Sequence, residues 1–347
     1  MSFQVKYDHS LLKHNTFGID TRTDCFIEYR SVEELKEALA YLREHSCPRI
    51  LNVGAGSNLL FCGDFEGAVL HNAITTLEVT DESWMDNVVV RVGGGYCWDA
   101  FVALAVCSGW YGAENLSSIP GDVGAAAVQN IGAYGAEVKD LIVRVEAVDS
   151  STGAVRIFDA SECRYSYRDS IFKHKEFKKY IITHVTFALS TVFKPNLSYK
   201  ALAEHFGGMK YSGWRPAYGA ADIRRFVAEM RRAKLPDPAV LGNAGSFFMN
   251  PVVPLSEYSR LSADYPQMPH FDAEEGVKLS AAWLIDNAGM KGYVKGSAAV
   301  YEKQPLVLVN LGGATGADIL ALASDVISAV RDKFGVTLRM EVNAIGK

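Results

Sequence analysis

The sequence predicts an α+β protein of more than one domain. Its 347 residues exceed what a single hydrophobic core ordinarily organises. The first half sets short apolar strands directly before glycine-rich loops, whereas the second mixes irregular stretches with amphipathic helices. Apolar residues form 49% and charged residues 22% of the chain, the balance of a soluble globular protein. A net charge of −5 gives no electrostatic support to nucleic-acid binding. No run approaches the ~18 apolar residues of a membrane span. The first residues lack the apolar core of a secretory signal, so a cytoplasmic location is expected. Six cysteines without a C-x-x-C pair, and eight histidines without ligand-like spacing, predict reduced, mostly buried thiols and no metal.

The elements follow in order. Residues 31–34 form a capping-box pattern, and Val32, Leu35, Leu39 and Leu42 recur at helical spacing up to Pro48. Residues 49–53 read as a short buried strand entering the loop 54–59, and 88–92 repeat the device before three glycines. A helix is expected over 98–108. Residues 141–149 and 154–158 flank "SSTG" as a β-hairpin, and 179–190 alternate with Val185, Phe187 and Leu189 on one face. Proline and glycine scattered through 191–220 mark an irregular connection. A helix over 222–234 turns Ile223, Phe226, Val227 and Met230 inward. A longer one over 316–334 ends at Gly335. Residues 336–342 read as a last strand burying Val336, Leu338, Met340 and Val342, with Glu341 on the other face.

Several stretches carry candidate chemistry, each beside a plainer alternative. Gly54 and Gly56 free the backbone for an anion such as a diphosphate, with Ser57 and Asn58 as donors. The spacing is neither G-x-G-x-x-G nor a P-loop, and a plain tight turn explains it as well. The small residues of "IPGDVGAAAVQNIGAYG" (119–135) are too weak a helix former to be explained by propensity. They suit a backbone lying flat against a planar ring system, and equally the close packing of two segments. Arg168 offers a fork for a carboxylate or phosphate, or a surface ion pair. Glu341 is a solvated carboxylate by default, and Ser246 in "GNAGSFFMNP" a turn serine bonded to nearby backbone. Arg224, Arg225, Arg231, Arg232 and Lys234 cluster on one helix, a solvated face by default, or a set of cations for an anionic ligand nearby.

Taken in order, "NTFGI", "GAGSNLLF", "IPGDVGAAAVQNIGAYG", "YRDSIFKH", "KLPDP" and "GNAGSFFMNP" resemble the UDP-N-acetylenolpyruvoylglucosamine reductase family from about residue 10 onward. The resemblance implies a two-part FAD-binding domain of the vanillyl-alcohol-oxidase (PCMH) type over 15–190, divided near residue 75. It implies a connection and candidate lid loop over 191–220. A smaller α+β substrate-binding domain over 221–347 would follow, its last strand returning Glu341 to the active site. The implied activity is NADPH-dependent, FAD-mediated reduction of UDP-N-acetylglucosamine enolpyruvate to UDP-N-acetylmuramate in peptidoglycan precursor synthesis. FAD would be non-covalent, and NADPH would leave before the second substrate enters.

By the same resemblance, Gly54, Ala55, Gly56, Ser57, Asn58 and Leu59 correspond to the cradle of the FAD diphosphate. Ile119, Pro120, Gly121, Gly124 and Ala125 match the wall along the flavin, as do Gly132, Ala133 and Tyr134. Arg168 matches the arginine that polarises the substrate carboxylate, Glu341 the active-site glutamate and Ser246 the proton donor to C2. Tyr199 and Lys234 would face the substrate diphosphate, with Asn250 and Lys278 as further substrate contacts. Met249 stands where many relatives carry lysine, and Asp122 with Ala125–Ala127 replaces a more serine- and proline-containing version. A monomer without nucleic-acid or membrane partners is expected. Another flavin oxidase or dehydrogenase of the same fold, or a non-catalytic flavin- or nucleotide-sugar-binding regulator, are the competing readings.

Overall fold

Apolar periodicity and glycine placement build two units from this chain. The computed structural model describes residues 3–47, 49–84, 86–209, 217–273 and 275–346. One unit takes Met1–His9, Thr23–Ala55 and Glu66–Ala233, and the other Ser10–Arg22, Gly56–Phe65 and Lys234–Lys347.

In the first unit a four-stranded sheet runs in the spatial order Val5–Ser10, Arg22–Tyr29, Phe65–Asn72, Ile50–Val53. The helix Val32–Glu44 covers it, burying Leu35, Ala38, Leu39 and Leu42 among Ile27, Tyr29 and Leu70. Ser31 caps that helix by accepting the Glu34 amide at 3.0 Å, as the sequence predicted. Ile50–Val53 differs from expectation. It is an edge strand, parallel to Phe65–Asn72, and exposes Ile50 and Asn52 while burying Val53.

The second sheet of this unit is antiparallel, in the order Val155–Asp159, Ile142–Asp149, Tyr180–Ser190, Asn87–Gly93, Leu77–Val79. Its hairpin and long central strand are those expected. Val185, Phe187 and Leu189 meet Trp98 and Phe101 of the helix Trp98–Cys107 in one core. The opposite face is closed by charge instead of left open, Arg91 donating to both Glu146 oxygens at 2.6 and 2.7 Å beside buried His184. Against expectation, the small-residue run folds as an α-helix, Val123–Gln129. Tertiary packing overrides propensity there: Gly124 lies so close to the Gly94 carbonyl that a Cβ would approach it to 3.1 Å. The connection also contains an unpredicted helix, Lys200–Phe206, which packs Leu202 and Phe206 on Ile223 and Val227 of the helix Ala220–Lys234. Residues 210–216 of the candidate lid lie outside the described residues.

The second unit holds a four-stranded sheet in the order Gly242–Ser246, Val307–Asn310, Ala298–Val300, Val294–Lys295. A three-stranded sheet of Val252–Val253, Gly276–Leu279 and His270–Ala273 adjoins the helices Leu255–Asp264, Ala281–Asn287 and Gly316–Phe334. Thr315 caps the long helix in a full capping box, and Gly335 ends it in the left-handed region at φ 75°. Its core joins Phe247, Leu308, Ile319 and Val326 to Phe17 and Leu60 from far earlier in the chain. The expected strand over 336–342 is an extended segment instead. Val336, Leu338 and Val342 are buried as the alternation predicted, but among the described residues the segment forms a single bridge, Met340 to Phe248, and no ladder. The ladder begins only at Asn343–Ile345, parallel to Leu59–Phe61. Of the six thiols, Cys25 and Cys163 are buried and Cys97 and Cys107 exposed, so the expectation of mostly buried cysteines fails.

Candidate active site

Ser246 sits at the end of a strand and not in a free turn. Gly242–Ser246 pairs antiparallel with Val307–Asn310, and the register slips between Asn243 and Ser246. Gly245 takes φ 68°, and its amide donates to the Asn243 side chain at 2.9 Å. Buried Asn243 in turn donates to the Leu241 carbonyl at 2.8 Å, so the bulge that presents Ser246 is itself braced. The two rings that follow are structural. Phe247 and Phe248 are fully buried, 5.2 Å apart edge to face, and Phe247 packs on Phe17.

Glu341 is stapled beside this strand through its backbone. Its amide donates to the Phe247 carbonyl at 2.8 Å, and its carbonyl accepts the Asn58 side chain at 3.3 Å. The Met249 amide donates to the Arg339 carbonyl at 2.9 Å, extending the same contact. The structure therefore brings Ser246, Glu341 and Asn58 together within one unit. Gly56 takes φ 67°, and a Cβ there would overlap the His14 carbonyl. Ser57 and Leu59 are half-buried, and Lys234 is exposed at the C-terminal end of its helix. Asn250 and Lys278 have local duties: Asn250 accepts the Ala281 amide at 2.9 Å, and the Lys278 ammonium lies 5.9 Å from the Phe271 ring centre.

In the other unit, Arg168 adopts φ 55°, a conformation costly for a residue with a side chain. Its guanidinium donates to the Gly132 carbonyl at 2.7 Å, and its own carbonyl accepts the Lys173 ammonium at 2.7 Å. Ser118, Asn130 and Tyr134 share such positive φ values, at 59°, 44° and 50°, so backbone strain gathers along the flavin-wall candidates. Tyr134 packs edge to face on Tyr199 at 5.1 Å, and Asn115 ties the Tyr134 carbonyl to that of Asn196. Pro120, Ala125 and Gly135 are exposed, Ile119, Gly121, Gly132 and Ala133 half-buried, and Gly124 buried.

Two groups beyond the sequence candidates belong to this region. Arg231 is not on a solvated face. It donates to the Ser118 carbonyl at 3.0 Å, beside Tyr134, and burial lowers its pKa against the opposing pull of Tyr134 and Asp99. Burial likewise raises the Tyr134 phenol. Arg224, seven residues earlier, grips both Asp99 oxygens at 2.5 and 2.9 Å. The i, i+7 spacing of Arg224 and Arg231 was the available signal that they share an inward stripe. The second group is Asp122, whose Oδ2 accepts the Ala55 amide at 2.6 Å. Burial holds its carboxyl up at about 6 although that amide pulls it down.

Two family models match the chain: an FAD binding domain over residues 23–159, and the UDP-N-acetylenolpyruvoylglucosamine reductase C-terminal domain over residues 237–345. The UDP-N-acetylenolpyruvoylglucosamine reductase of Bacteroides fragilis (strain YCH46) is 51% identical over 342 residues, spanning 98% of this chain and 100% of its own. The reductase of Porphyromonas gingivalis (strain ATCC BAA-308 / W83) is 44% identical over 342 residues, spanning 98% of this chain and 99% of its own. Among solved structures, the reductase of Thermus caldophilus shares the fold across 99% of both chains, with a TM-score of 0.66 at 23% identity.

Proposed function

Since this chain belongs to the UDP-N-acetylenolpyruvoylglucosamine reductase family, we propose that Ser246, Arg168 and Glu341 carry its chemistry. The chain is an FAD-dependent oxidoreductase that reduces UDP-N-acetylglucosamine enolpyruvate in peptidoglycan precursor synthesis. NADPH is the proposed donor, and a monomer the proposed state. The observation that carries the site reading is the presentation of Ser246 and Glu341 from adjoining backbone, joined by the Glu341 amide on the Phe247 carbonyl.

FAD, when bound, supplies two-electron transfer between NADPH and the enolpyruvyl group. The residues present fit it: accessible Ala55, Pro120, Ala125 and Gly135 expose backbone and small side chains, with Tyr134 and Arg231 alongside. On this reading 15–190 bind the cofactor, 221–347 bind substrate, and 191–220 connect them.

Hydride arriving at C3 of the enolpyruvyl group pushes negative charge onto C2 and the carboxylate. Arg168 answers that charge with a planar fork held in place by the Gly132 carbonyl. Ser246 hands its hydroxyl proton to C2, which completes the saturated product. A braced bulge holds that hydroxyl in one place, which general acid work requires. Glu341 supports the same charge by hydrogen bonding, and Tyr199 and Lys234 receive the substrate diphosphate. Buried Phe247 and Phe248 keep water from the backbone behind Ser246.

An anaerobic visible titration tests this. The flavin band of the purified protein should bleach with NADPH and return with UDP-N-acetylglucosamine enolpyruvate. Return only on admitting oxygen would instead assign an oxidase or dehydrogenase of the same fold. Protein that stays colourless after FAD is supplied would be a binding protein and no flavoenzyme.

A further inference from the structure

We propose that Asp122 and the diphosphate of FAD compete for one backbone donor, the Ala55 amide, so that Asp122 sets how tightly the cofactor is held. The inference rests on the reading of Ala55 as part of the diphosphate cradle. Asp122 stands at the N-cap of the helix Val123–Gln129 with extended backbone, φ −112° and ψ 162°. An aspartate there ordinarily accepts an amide of its own helix. Asp122 makes no such bond. Its Oδ2 reaches 67 residues back along the chain to the Ala55 amide. A Cβ on Gly54 would come within 2.5 Å of the same oxygen, so that glycine makes room for the carboxylate. Ala55 is exposed, and a ligand arriving from solvent meets this occupied donor.

Charge makes the competition strong. Burial destabilises the Asp122 carboxylate, the Ala55 amide stabilises it, and no cation contributes. Tyr96 and Cys97 pair through their backbones with Val123 and Asp122, and the helix that follows them, Trp98–Cys107, carries Asp99 in its first turn and Cys107 at its far end. The Asp99 carboxylate is taken by Arg224 and the Ser118 amide. A carboxylate and a diphosphate oxygen repel, and a single N–H cannot serve both. Protonating Asp122 removes the repulsion and the stronger claim on the amide together. Cofactor binding is therefore linked to proton uptake, favoured below a pH of about 6 and weakened above it. Each pKa unit by which the diphosphate raises Asp122 further separates the two affinity plateaus by about tenfold.

The test is direct binding. Protein stripped of flavin is titrated with FAD, by quenching of flavin fluorescence, from roughly pH 5 to pH 8. Wild type, Asp122→Asn and Asp122→Ser are compared, the serine variant standing in should the asparagine one fold poorly. Wild-type Kd should rise by about tenfold or more across that range, while both variants stay flat and bind correspondingly tighter at the upper end. Riboflavin, which has no phosphate, should distinguish none of the three. Equal pH profiles for wild type and variants would overturn the proposal, as would a gain in the variants that riboflavin shares. Absence of FAD binding by all three at every pH would sink the cofactor reading itself, and this inference with it.

Discussion

At Ser246 the expected cost of losing one hydroxyl is specific to half of the reaction. Ser246→Ala should keep bound FAD and normal oxidation of NADPH, while reoxidation by the enolpyruvyl substrate slows by about 10²–10⁴-fold. Stopped-flow absorbance of the two half-reactions reads this, and normal reoxidation would remove Ser246 from its role. Arg168→Lys keeps the charge but loses the planar fork and its anchor on the Gly132 carbonyl. Reoxidation should fall by about tenfold or more, with NADPH oxidation again unchanged. A variant indistinguishable from wild type in both phases would show that a point charge suffices. Both residues were legible as candidates because their motifs are distinctive. Asp122 and Arg231 were not legible as partners, since what gives them meaning lies far along the chain, at Ala55 and Ser118.

The elements were legible in proportion to how local their causes are. The helices Val32–Glu44 and Gly316–Phe334 carry their caps and stripes within themselves, and the hairpin over 142–159 its own turn. The helix Val123–Gln129 was hidden because a contact with the Gly94 carbonyl, and not propensity, makes its small residues necessary. Three of the glycines read as room for a ligand are also required by the chain itself. Gly54 meets Asp122, Gly56 meets His14 and Gly124 meets Gly94. Residues 336–342 alternate like a strand, yet alternation records burial and cannot supply a neighbour to pair with. The bulged strand Gly242–Ser246 yields its own prediction. Gly245→Ala meets open space, so only the left-handed backbone opposes it, at about 1–2 kcal/mol. Thermal unfolding should show that modest loss, and turnover should drop further than stability as Ser246 is re-aimed. An unaltered Tm together with unaltered turnover would mean that the bulge does not set the serine.

For the molecule as a whole, the chain passes between its two units at 9/10, 22/23, 55/56, 65/66 and 233/234. A fragment of residues 234–347 therefore lacks Phe17, Ile19 and Leu60 from its core, and the strand Leu59–Phe61 against which Asn343–Ile345 pairs. Expressed alone, it should remain unfolded by circular dichroism and amide exchange. Adding peptides of residues 10–22 and 56–65 should shift it toward order. A fragment that melts cooperatively by itself would show those segments to be dispensable. The parallel pairing of 59–61 with 343–345 also dictates a timetable for synthesis. The early strand leaves the ribosome nearly the full length of the chain before its neighbour exists, so Leu60 and Phe61, fully buried in the finished protein, must wait in the open. Residues 343–345 close the unit that presents Ser246, and a chain cut before Asn343 would leave the strand Leu59–Phe61 without that neighbour.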